Sequence, residues 1–454
     1  MTAAVTEATA SPTPSRTPTA MPIDTVAPTP TDMVTPTPSP TPTEAVAAAA
    51  SPSSVPAETA AIAAAASATP QDTPTPQFSP TPVATTEFTE DVVHILLIGG
   101  DRDYVLDMNT DTLIVMVINR TTKQVSLLSI PRDLWVYIPT YGWSRINVAH
   151  RIGQRGQYPD GKGPGLLART IELNLGIPID HWVRIGYSGF TNVVDELGGV
   201  EVVVPCPVNL RYKPPTSEVE QEIILQPGVH QLDGETALRY VRTRRGDTDF
   251  GRASRQQQFL KAIWDQFKSP NILLKVPGLW SALKDSFRTD LTLGDVLALA
   301  PIALDLDYQH IRSLYIGPNQ VEGWVTPEGW SVLRPIPEKV QQVVARLYAP
   351  PAADDAQSDR AGRIQIWNGT SRPQLALIAA DQLRWQGFQV TDTRPADRTD
   401  YAQTQIVILN DNPETVTALA TALGVKQERI IQQPDPDQGV DIRVILGQAY
   451  DPCR

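Results

Sequence analysis

The chain has 454 residues and a formal net charge of −12, with 38 lysines and arginines against 50 aspartates and glutamates. Eight acidic residues and one arginine precede Asp91, so that segment carries −7 and the remainder of the chain only −5. A general nucleic-acid-binding protein presents a broadly basic face, which this balance excludes. We therefore expect no nucleic-acid partner.

Residues 1–90 have the composition of an extended spacer. Seventeen of the 42 prolines lie there, mostly in Thr-Pro and Ser-Pro pairs. Such a segment buries too little apolar surface to offset the entropy lost on ordering, and its prolines favour an extended chain. We predict a disordered stalk, which is typical of extracytoplasmic proteins, although a disordered cytoplasmic tail is an alternative.

No membrane anchor or targeting signal is recognisable in these residues. The Ala-rich stretch 45–66 is interrupted by Ser, Pro and Glu, so it is not predicted to span a bilayer. The first residues lack both the basic and the apolar regions of a signal peptide.

Cysteine chemistry is limited to Cys206 and Cys453, which lie far apart in the sequence. Two thiols are too few for a zinc site, and their spacing is not that of a redox pair. A disulfide and two free thiols are both compatible with an exported protein, and the sequence leaves the choice open.

From Asp91 the composition becomes that of a folded α/β domain. Apolar runs predict strands that are buried on both faces at 92–98, 113–118, 125–130 and 200–204. Helical spacing of apolar residues predicts helices at 166–175, 191–197 and 254–268, and alternation predicts a strand at 237–244. We predict a layered α/β/α domain with a mixed central sheet over residues 91–349.

A second, smaller α/β domain is predicted at 362–454, after a linker at 350–361 that reads PPAADDAQSDRA. Its predicted strands are 364–367, 388–391, 405–409 and 440–446, and its predicted helices are 375–385 and 414–423.

Six arginines lie between residues 239 and 258, in the stretch RYVRTRRGDTDFGRASRQQQ. The guanidinium group binds phosphate through two parallel hydrogen bonds and keeps its charge. On the predicted strand Arg242 and Arg244 would point to one side. On the following helix Arg252 and Gln256 would lie one turn apart on one face, if the helix begins near Gly251. A solvated basic loop is the ordinary alternative, but the convergence of two elements favours an anion site.

Charged side chains also lie at the ends of three predicted strands. Asp101 follows the first strand, Asp111 precedes the second, and Arg132 and Asp133 follow the third. Ligand-binding groups of α/β proteins collect at strand ends. Each residue alone could be an ordinary turn residue or a structural ion pair. Together with the arginines they predict Mg²⁺ shared with an anionic ligand, an arrangement suited to phosphoryl transfer.

Longer phrases resemble the LytR–CpsA–Psr family, in that family's order and over most of 91–268: LLIGGDRD, TDTLIVMVI, VSLLSIPRDLWVYIP, INVAH, VDELGGVEVVVP, LDGETALRYVRTR and DFGRASRQQQFLKAI. Residues 362–390 and the phrase VILGQAYD resemble the LytR C-terminal domain. The resemblance implies a cell-wall ligase that moves a glycopolymer from undecaprenyl pyrophosphate onto peptidoglycan, with Mg²⁺ in the site. It further implies an extracytoplasmic location in the cell envelope, at the membrane surface through the lipid substrate.

The resemblance also implies roles for single residues. Asp101 and Asp111 match the metal carboxylates, and three arginines match pyrophosphate-binding positions: Arg132, Arg242 and Arg244. Asp249, Arg252 and Gln256 match the pattern on the following helix, and Asp249 or Asp133 is the candidate general base. Further candidates for substrate binding are Arg102, Asp133, Asn147 and Arg255.

Two departures from the family pattern stand out. Asn109 occupies a position where the family often has arginine, so one pyrophosphate contact is absent or is supplied by Arg102. Most members carry an amino-terminal membrane helix, so either the start of this chain is trimmed or misassigned, or the protein is held by the wall or a partner.

Several roles stay open at the level of sequence. A pyrophosphatase with water as acceptor, or a non-enzymatic wall-binding or regulatory protein, competes with the ligase; no helix-turn-helix pattern supports the regulator. A lipid tunnel is expected at 166–175, 190–194, Phe259, Ile263, Phe267 and Trp280, although core packing is the commoner role of such residues. Trp135, Tyr137, Tyr141 and Trp143 could stack on sugar rings or simply pack, and the five histidines are assigned no catalysis.

Overall fold

The computed structural model describes residues 91–453, apart from 102, 104–107, 213–220, 245–248, 268–271, 307–309, 350–361, 411 and 436–438. The predicted stalk, the predicted linker and Arg102 therefore lie outside the described residues. No helix among the described residues is both long enough and apolar enough to cross a membrane.

The described residues form nineteen strands: β1 Val92–Gly100, β2 Thr110–Asn119, β3 Gln124–Ser129, β4 Trp135–Ile138, β5 Gly142–Arg145, β6 His181–Ile185, β7 Val200–Val204, β8 Val208–Tyr212, β9 Gln221–Leu225, β10 Gly228–Leu232, β11 Phe287–Thr289, β12 Ile311–Tyr315, β13 Val321–Val325, β14 Ser331–Pro335, β15 Ile364–Asn368, β16 Val390–Pro395, β17 Gln405–Ile408, β18 Ile430–Gln432 and β19 Ile442–Leu446. They also form ten α-helices: α1 Ala149–Arg155, α2 Lys162–Leu175, α3 Tyr187–Glu196, α4 Gly234–Arg242, α5 Asp249–Phe267, α6 Ile272–Leu283, α7 Leu293–Asp305, α8 Pro337–Tyr348, α9 Leu375–Trp385 and α10 Pro413–Leu423.

A six-stranded mixed sheet forms the centre of the molecule, in the order β11-β6-β1-β2-β3-β12. Strand β1 pairs parallel with β6 and antiparallel with β2, while β3 pairs antiparallel with β2 and parallel with β12. Strands β6, β1, β3 and β12 therefore end at one edge of the sheet, and β2 begins there. The predicted mixed central sheet is confirmed.

Both faces of this sheet are covered, because alternate side chains of each strand point to opposite sides. On one face Leu96 and Val115 pack in a core with Ile171 of α2 and Val344 of α8. On the other face the residues in contact include Ile95 and Ile118 of the sheet and Leu299 and Ile302 of α7. The predicted α/β/α layering is thus confirmed.

The predicted strand at 200–204 exists as β7, but it does not belong to the central sheet. It pairs with β10 in a two-stranded sheet, and its burial alternates, with Glu201 exposed. The expectation that it is buried on both faces was wrong, because Glu201 points to solvent while Val200, Val202 and Val204 are buried.

The predicted strand at 237–244 was wrong, because most of these residues form helix α4. Asp233 caps this helix by accepting a hydrogen bond of 2.8 Å from the backbone N–H of Thr236. The buried residues Ala237, Tyr240 and Val241 have helical spacing. Tyr and Val favour strands locally, but packing of one helix face prevails over that propensity.

The carboxy-terminal residues form a second α/β region around a five-stranded sheet in the order β16-β15-β19-β17-β18. Helix α9 has the predicted bounds, and its residues pack on the sheet in a core of their own. The strand predicted at 388–391 lies at Val390–Pro395, and the short strand β18 was not predicted. A disulfide joins Cys206 to Cys453, which settles the choice left open above.

The buried His150 makes the stability of this fold sensitive to acid. Arg184 Nη1 donates to His150 Nε2 at 3.1 Å, and burial, assisted by Arg184, lowers the pKa of His150 from 6.5 to about 4. Between these pH values the unfolded chain binds a proton that the folded protein does not, so stability falls as pH decreases. From pH 7 to 4.5 we expect His150 to contribute a loss of about 2 kcal/mol.

Urea unfolding of the protein and of His150→Gln at pH 7 and 4.5 measures this contribution. The variant is expected to lose less stability on acidification than the parent protein. Equal losses in both would show that His150 does not couple folding to pH.

Candidate active site

A cavity of 540 Å³ opens at the edge where β1, β3 and β6 end. Its polar lining residues come from five elements or the loops after them, and they include Asp111, Thr112, Arg132, Tyr187, Arg242, Arg244, Arg252 and Gln256. Its apolar lining includes Leu97, Ile114, Val183, Phe190, Phe259 and Ile263. A charged end therefore continues into an apolar interior.

The Asp101 carboxylate is held by Asn109 across the loop between β1 and β2. The Asn109 backbone N–H donates to Asp101 Oδ1 at 3.0 Å, and its side-chain Nδ2 donates to Oδ2 at 3.4 Å. The Asp101 N–H donates in return to the Asn109 carbonyl at 3.1 Å. Asn109, which departs from the family pattern, therefore orients Asp101.

Asp111 lies at the start of β2, against Arg132 of the loop after β3. Arg132 Nη1 is 2.5 Å from Asp111 Oδ1, and Arg132 Nε is 3.4 Å from Asp133 Oδ2. Asp133 also lies 3.5 Å from Arg145 Nη1 and does not line the cavity. Asp133 thus orients Arg132. Its place outside the cavity wall does not favour the predicted contact between Asp133 and substrate.

Helix α4 ends at Arg242, and both members of the predicted arginine pair line the cavity. The reason is not strand alternation. Thr243 leaves the helix in an extended conformation, with φ −60° and ψ 142°, and carries Arg244 back toward the site. Thr243 Oγ1 fixes this turn by donating to the Asn209 carbonyl at 2.8 Å.

Tyr187 belongs to the site and was missed by the sequence reasoning. The Arg242 guanidinium lies over the Tyr187 ring, 4.0 Å from its centroid. In this cation–π arrangement the face of the ring attracts the positive charge of Arg242. Burial raises the pKa of Tyr187, Arg242 opposes the rise, and Asp111 and Asp101 add to it. The sequence signal that could have identified Tyr187 is the stretch HWVRI, followed by Gly186. This stretch forms strand β6, which pairs parallel with β1 and ends just before Tyr187.

Helix α5 contributes Arg252 and Gln256 to the cavity wall. Gln256 Nε2 donates to Thr112 Oγ1 at 2.8 Å and to the Val241 carbonyl at 3.2 Å, so it ties α5 to β2 and α4. Asp249 begins the same helix, but its side chain lies outside the described residues.

Two residues predicted to bind substrate occupy supporting positions outside the cavity wall. Arg255 donates to the carbonyls of Tyr240 and Thr243, at the end of α4. Asn147 is buried, and its N–H donates to the Arg132 carbonyl at 3.2 Å. Both therefore position the arginine-bearing segments, and their geometry does not favour direct contact with a ligand.

The predicted lipid-binding residues divide among three places. Phe259, Ile263 and residues 190, 193 and 194 line the cavity. Phe267 and Trp280 line a neighbouring cavity of 530 Å³, which shares Leu260, Ile263 and Phe287 with the first. The prediction for 166–175 is not supported, because the apolar residues of α2 pack in the core on the opposite face of the sheet.

Part of the predicted aromatic surface is exposed. Tyr141 is 58% and Trp143 44% exposed, Trp143 packs against Tyr137, and Trp135 contacts Trp324 with ring centroids 5.7 Å apart. Stacking on sugars stays a prediction.

Two family models match the chain. The LytR_cpsA_psr family model matches residues 56–347, and the model described as LytR cell envelope-related transcriptional attenuator matches residues 362–450.

Three similar curated proteins carry names that refer to the cell wall or to its polymers. The polyisoprenyl-teichoic acid–peptidoglycan teichoic acid transferase TagT of Bacillus subtilis is 31% identical over 263 residues, 57% of this chain and 76% of TagT. TagV of the same organism, with the same activity in its name, is 31% identical over 49% of this chain and 58% of TagV. The probable cell wall biosynthesis protein LcpB of Corynebacterium glutamicum is 39% identical over 36% of each protein. TagT and TagV, each 31% identical to this chain, support an enzymatic transferase role for it.

Among solved structures, TagV of B. subtilis is 28% identical, with a TM-score of 0.48 over 57% of this chain and 97% of that one. TagT with bound octaprenyl pyrophosphate lipid is 29% identical, with a TM-score of 0.41 over 58% of this chain and 92% of that one.

The converging arginines predict that inorganic pyrophosphate binds here. Arg242→Met should weaken that binding roughly tenfold or more, because it removes charge-assisted hydrogen bonds. Arg239→Met is the matched control, since Arg239 lies on the same helix and pairs with Glu235 at 3.0 Å. Calorimetric titration measures both; equal affinities in the two variants would refute the anion site.

Proposed function

The chain belongs to the LytR–CpsA–Psr family, and on this premise we propose that it transfers a glycopolymer from a polyprenyl-pyrophosphate carrier to peptidoglycan. One observation carries the proposal. A single cavity joins a cluster of arginines to an apolar interior, which matches an amphipathic ligand with a pyrophosphate head and a hydrocarbon chain.

The charged end suits the pyrophosphate. Four arginines line it: Arg132, Arg242, Arg244 and Arg252. Guanidinium groups stay charged and donate in pairs to phosphate oxygens, so they can spread the charge of the head group. The apolar lining from Phe190, Phe259 and Ile263 would bury the first part of the prenyl chain.

Asp101 and Asp111 have the chemistry to hold Mg²⁺. Both are carboxylates at the same edge of the sheet, and Asp111 already lies against the positive charge of Arg132. The described residues contain no cluster of three or more His, Cys, Asp or Glu placed to hold a metal, so phosphate oxygens and water would complete the coordination. When bound, the ion would supply neutralisation of the phosphate charge.

In the proposed reaction, a peptidoglycan hydroxyl oxygen forms a bond to the phosphorus that carries the glycan. The bond from that phosphorus to the bridging oxygen breaks, and polyprenyl phosphate leaves. The arginines stabilise the charge that develops on the phosphoryl oxygens. Asp249 is the proposed acceptor of the hydroxyl proton, because Asp133 is held between Arg132 and Arg145 outside the cavity wall.

The disulfide between Cys206 and Cys453 supports an extracytoplasmic location, because such bonds persist mainly in oxidising compartments. The lipid part of the substrate would keep the enzyme at the membrane surface.

A transfer assay tests the function. The full chain is incubated with a short-chain polyprenyl-pyrophosphate glycan, peptidoglycan oligomers and Mg²⁺, and products are identified by mass spectrometry. We expect a phosphodiester-linked adduct that EDTA abolishes and that Arg244→Ala reduces by roughly a hundredfold, as for loss of one transition-state donor.

Arg239→Ala serves as the control and should retain activity. Released phosphoglycan without adduct would identify a pyrophosphatase instead. Full activity in Arg244→Ala would contradict the assignment of the site.

A further inference from the structure

Helix α5 is in contact with the carboxy-terminal region on the side that does not line the cavity. Lys261 is almost completely buried there, with its side chain 3% exposed. Its Nζ lies 3.6 Å from Asp381 Oδ1 of α9 and 4.1 Å from the centroid of the Trp385 ring. A charge-bearing pair is therefore enclosed between two regions that match different family models.

The contact continues from Asp381 toward the arginines. Gln258 Nε2 donates to Asp381 Oδ2 at 3.4 Å and to the Val203 carbonyl at 2.6 Å. The Oε1 of the same glutamine accepts from the Tyr240 hydroxyl at 3.1 Å. Tyr240 lies on α4, two residues before Arg242, so a polar chain runs from α9 to both arginine-bearing helices.

The positions along α5 separate two functions. Arg252, Gln256 and Ile263 line the cavity, whereas Gln258 and Lys261, three residues apart, face α9. A rotation or shift of the helix would move both sets together, because one rigid helix carries them. The position of α9 therefore bears directly on the position of Arg252 and Gln256.

Helix α9 is itself fixed to the first region at two further places. Gln374, just before α9, accepts through Oε1 from the Val229 N–H of β10 at 2.8 Å. Gln382 Nε2 donates to the Pro452 carbonyl at 2.7 Å, and the next residue, Cys453, is joined to Cys206. These contacts hold α9 against β7 and β10 while Asp381 engages α5.

A buried ion pair contributes little net stability, because both groups lose their hydration, yet removal of one partner leaves an uncompensated charge. Burial lowers the pKa of Lys261 to about 8, although the negative charge of Asp381 partly opposes this decrease. A geometric role accounts for such a pair better than a stabilising one.

We propose that the carboxy-terminal region positions the catalytic site, and that Asp381, through Lys261 and Gln258, sets the orientation of α5 and hence of Arg252 and Gln256. This inference rests on the proposed pyrophosphate site and gives the second region a role in its assembly. Asp381, Lys261 and Gln258 are positioning residues, since none of them lines the cavity.

The test measures the affinity of the full chain for inorganic pyrophosphate by calorimetry, and it does not require turnover. Asp381→Asn keeps the shape and an acceptor for Gln258 but removes the charge. We expect affinity to fall on the order of tenfold, as for coupled members of one polar network, with the fold intact by circular dichroism. Asp381→Glu, which restores the charge, should recover part of the loss.

Asp441→Asn is the matched control. Asp441 belongs to the same region, is exposed to the same 19% and pairs with Arg363 rather than with α5. It should leave pyrophosphate affinity unchanged.

A second variant protects the test against misfolding of Asp381→Asn. Cys206→Ser/Cys453→Ser releases the covalent link but leaves every contact of α5 intact, and a smaller loss of affinity is expected. The coupling would be overturned if Asp381→Asn and Cys206→Ser/Cys453→Ser are both folded and bind pyrophosphate with affinities within twofold of the parent. Absence of pyrophosphate binding in the parent protein would refute the site itself and the inference with it.

Discussion

The pairing of β2 between β1 and β3 is the constraint on which the candidate site depends. Because β1 and β3 run parallel to each other and antiparallel to β2, their ends and the start of β2 meet at one edge. Asp101, Asp111 and Arg132 are brought together by this register although 31 residues separate the first from the last. A slip of one residue in β2 would turn the Asp111 side chain to the other face of the sheet.

Helix α5 is the second organising element, because it lies against several parts of the molecule at once. It supplies Arg252 and Gln256 to the charged end of the cavity and Phe259 and Ile263 to the apolar interior. Through Gln256 it is tied to β2, and through Lys261 it meets α9. The charged end of the cavity, its apolar interior and the contact with the carboxy-terminal region therefore share one helix.

The sequence was informative where local chemistry and the global fold agree. The apolar runs of β1 to β3 and the charged residues beside them identified the sheet edge. Both the buried strands and the positions where they end can be recognised from residues that are neighbours in the sequence. The sequence failed where a tertiary contact overrides a local pattern. Packing of Tyr240 makes the alternating stretch a helix, α4. The hydrogen bond from Arg255 to the Tyr240 carbonyl could not be read from the sequence either, and its predicted contact with substrate stays a prediction. Tyr187 was missed because strand β6 before it was not predicted.

A crystal structure of the full chain with a polyprenyl pyrophosphate and Mg²⁺ would test the candidate site most directly. We predict that the pyrophosphate lies within hydrogen-bonding distance of Arg132, Arg242 and Arg252, with the prenyl chain packed against Phe259 and Ile263. A lipid bound elsewhere, or a pyrophosphate head that touches none of these arginines, would contradict it.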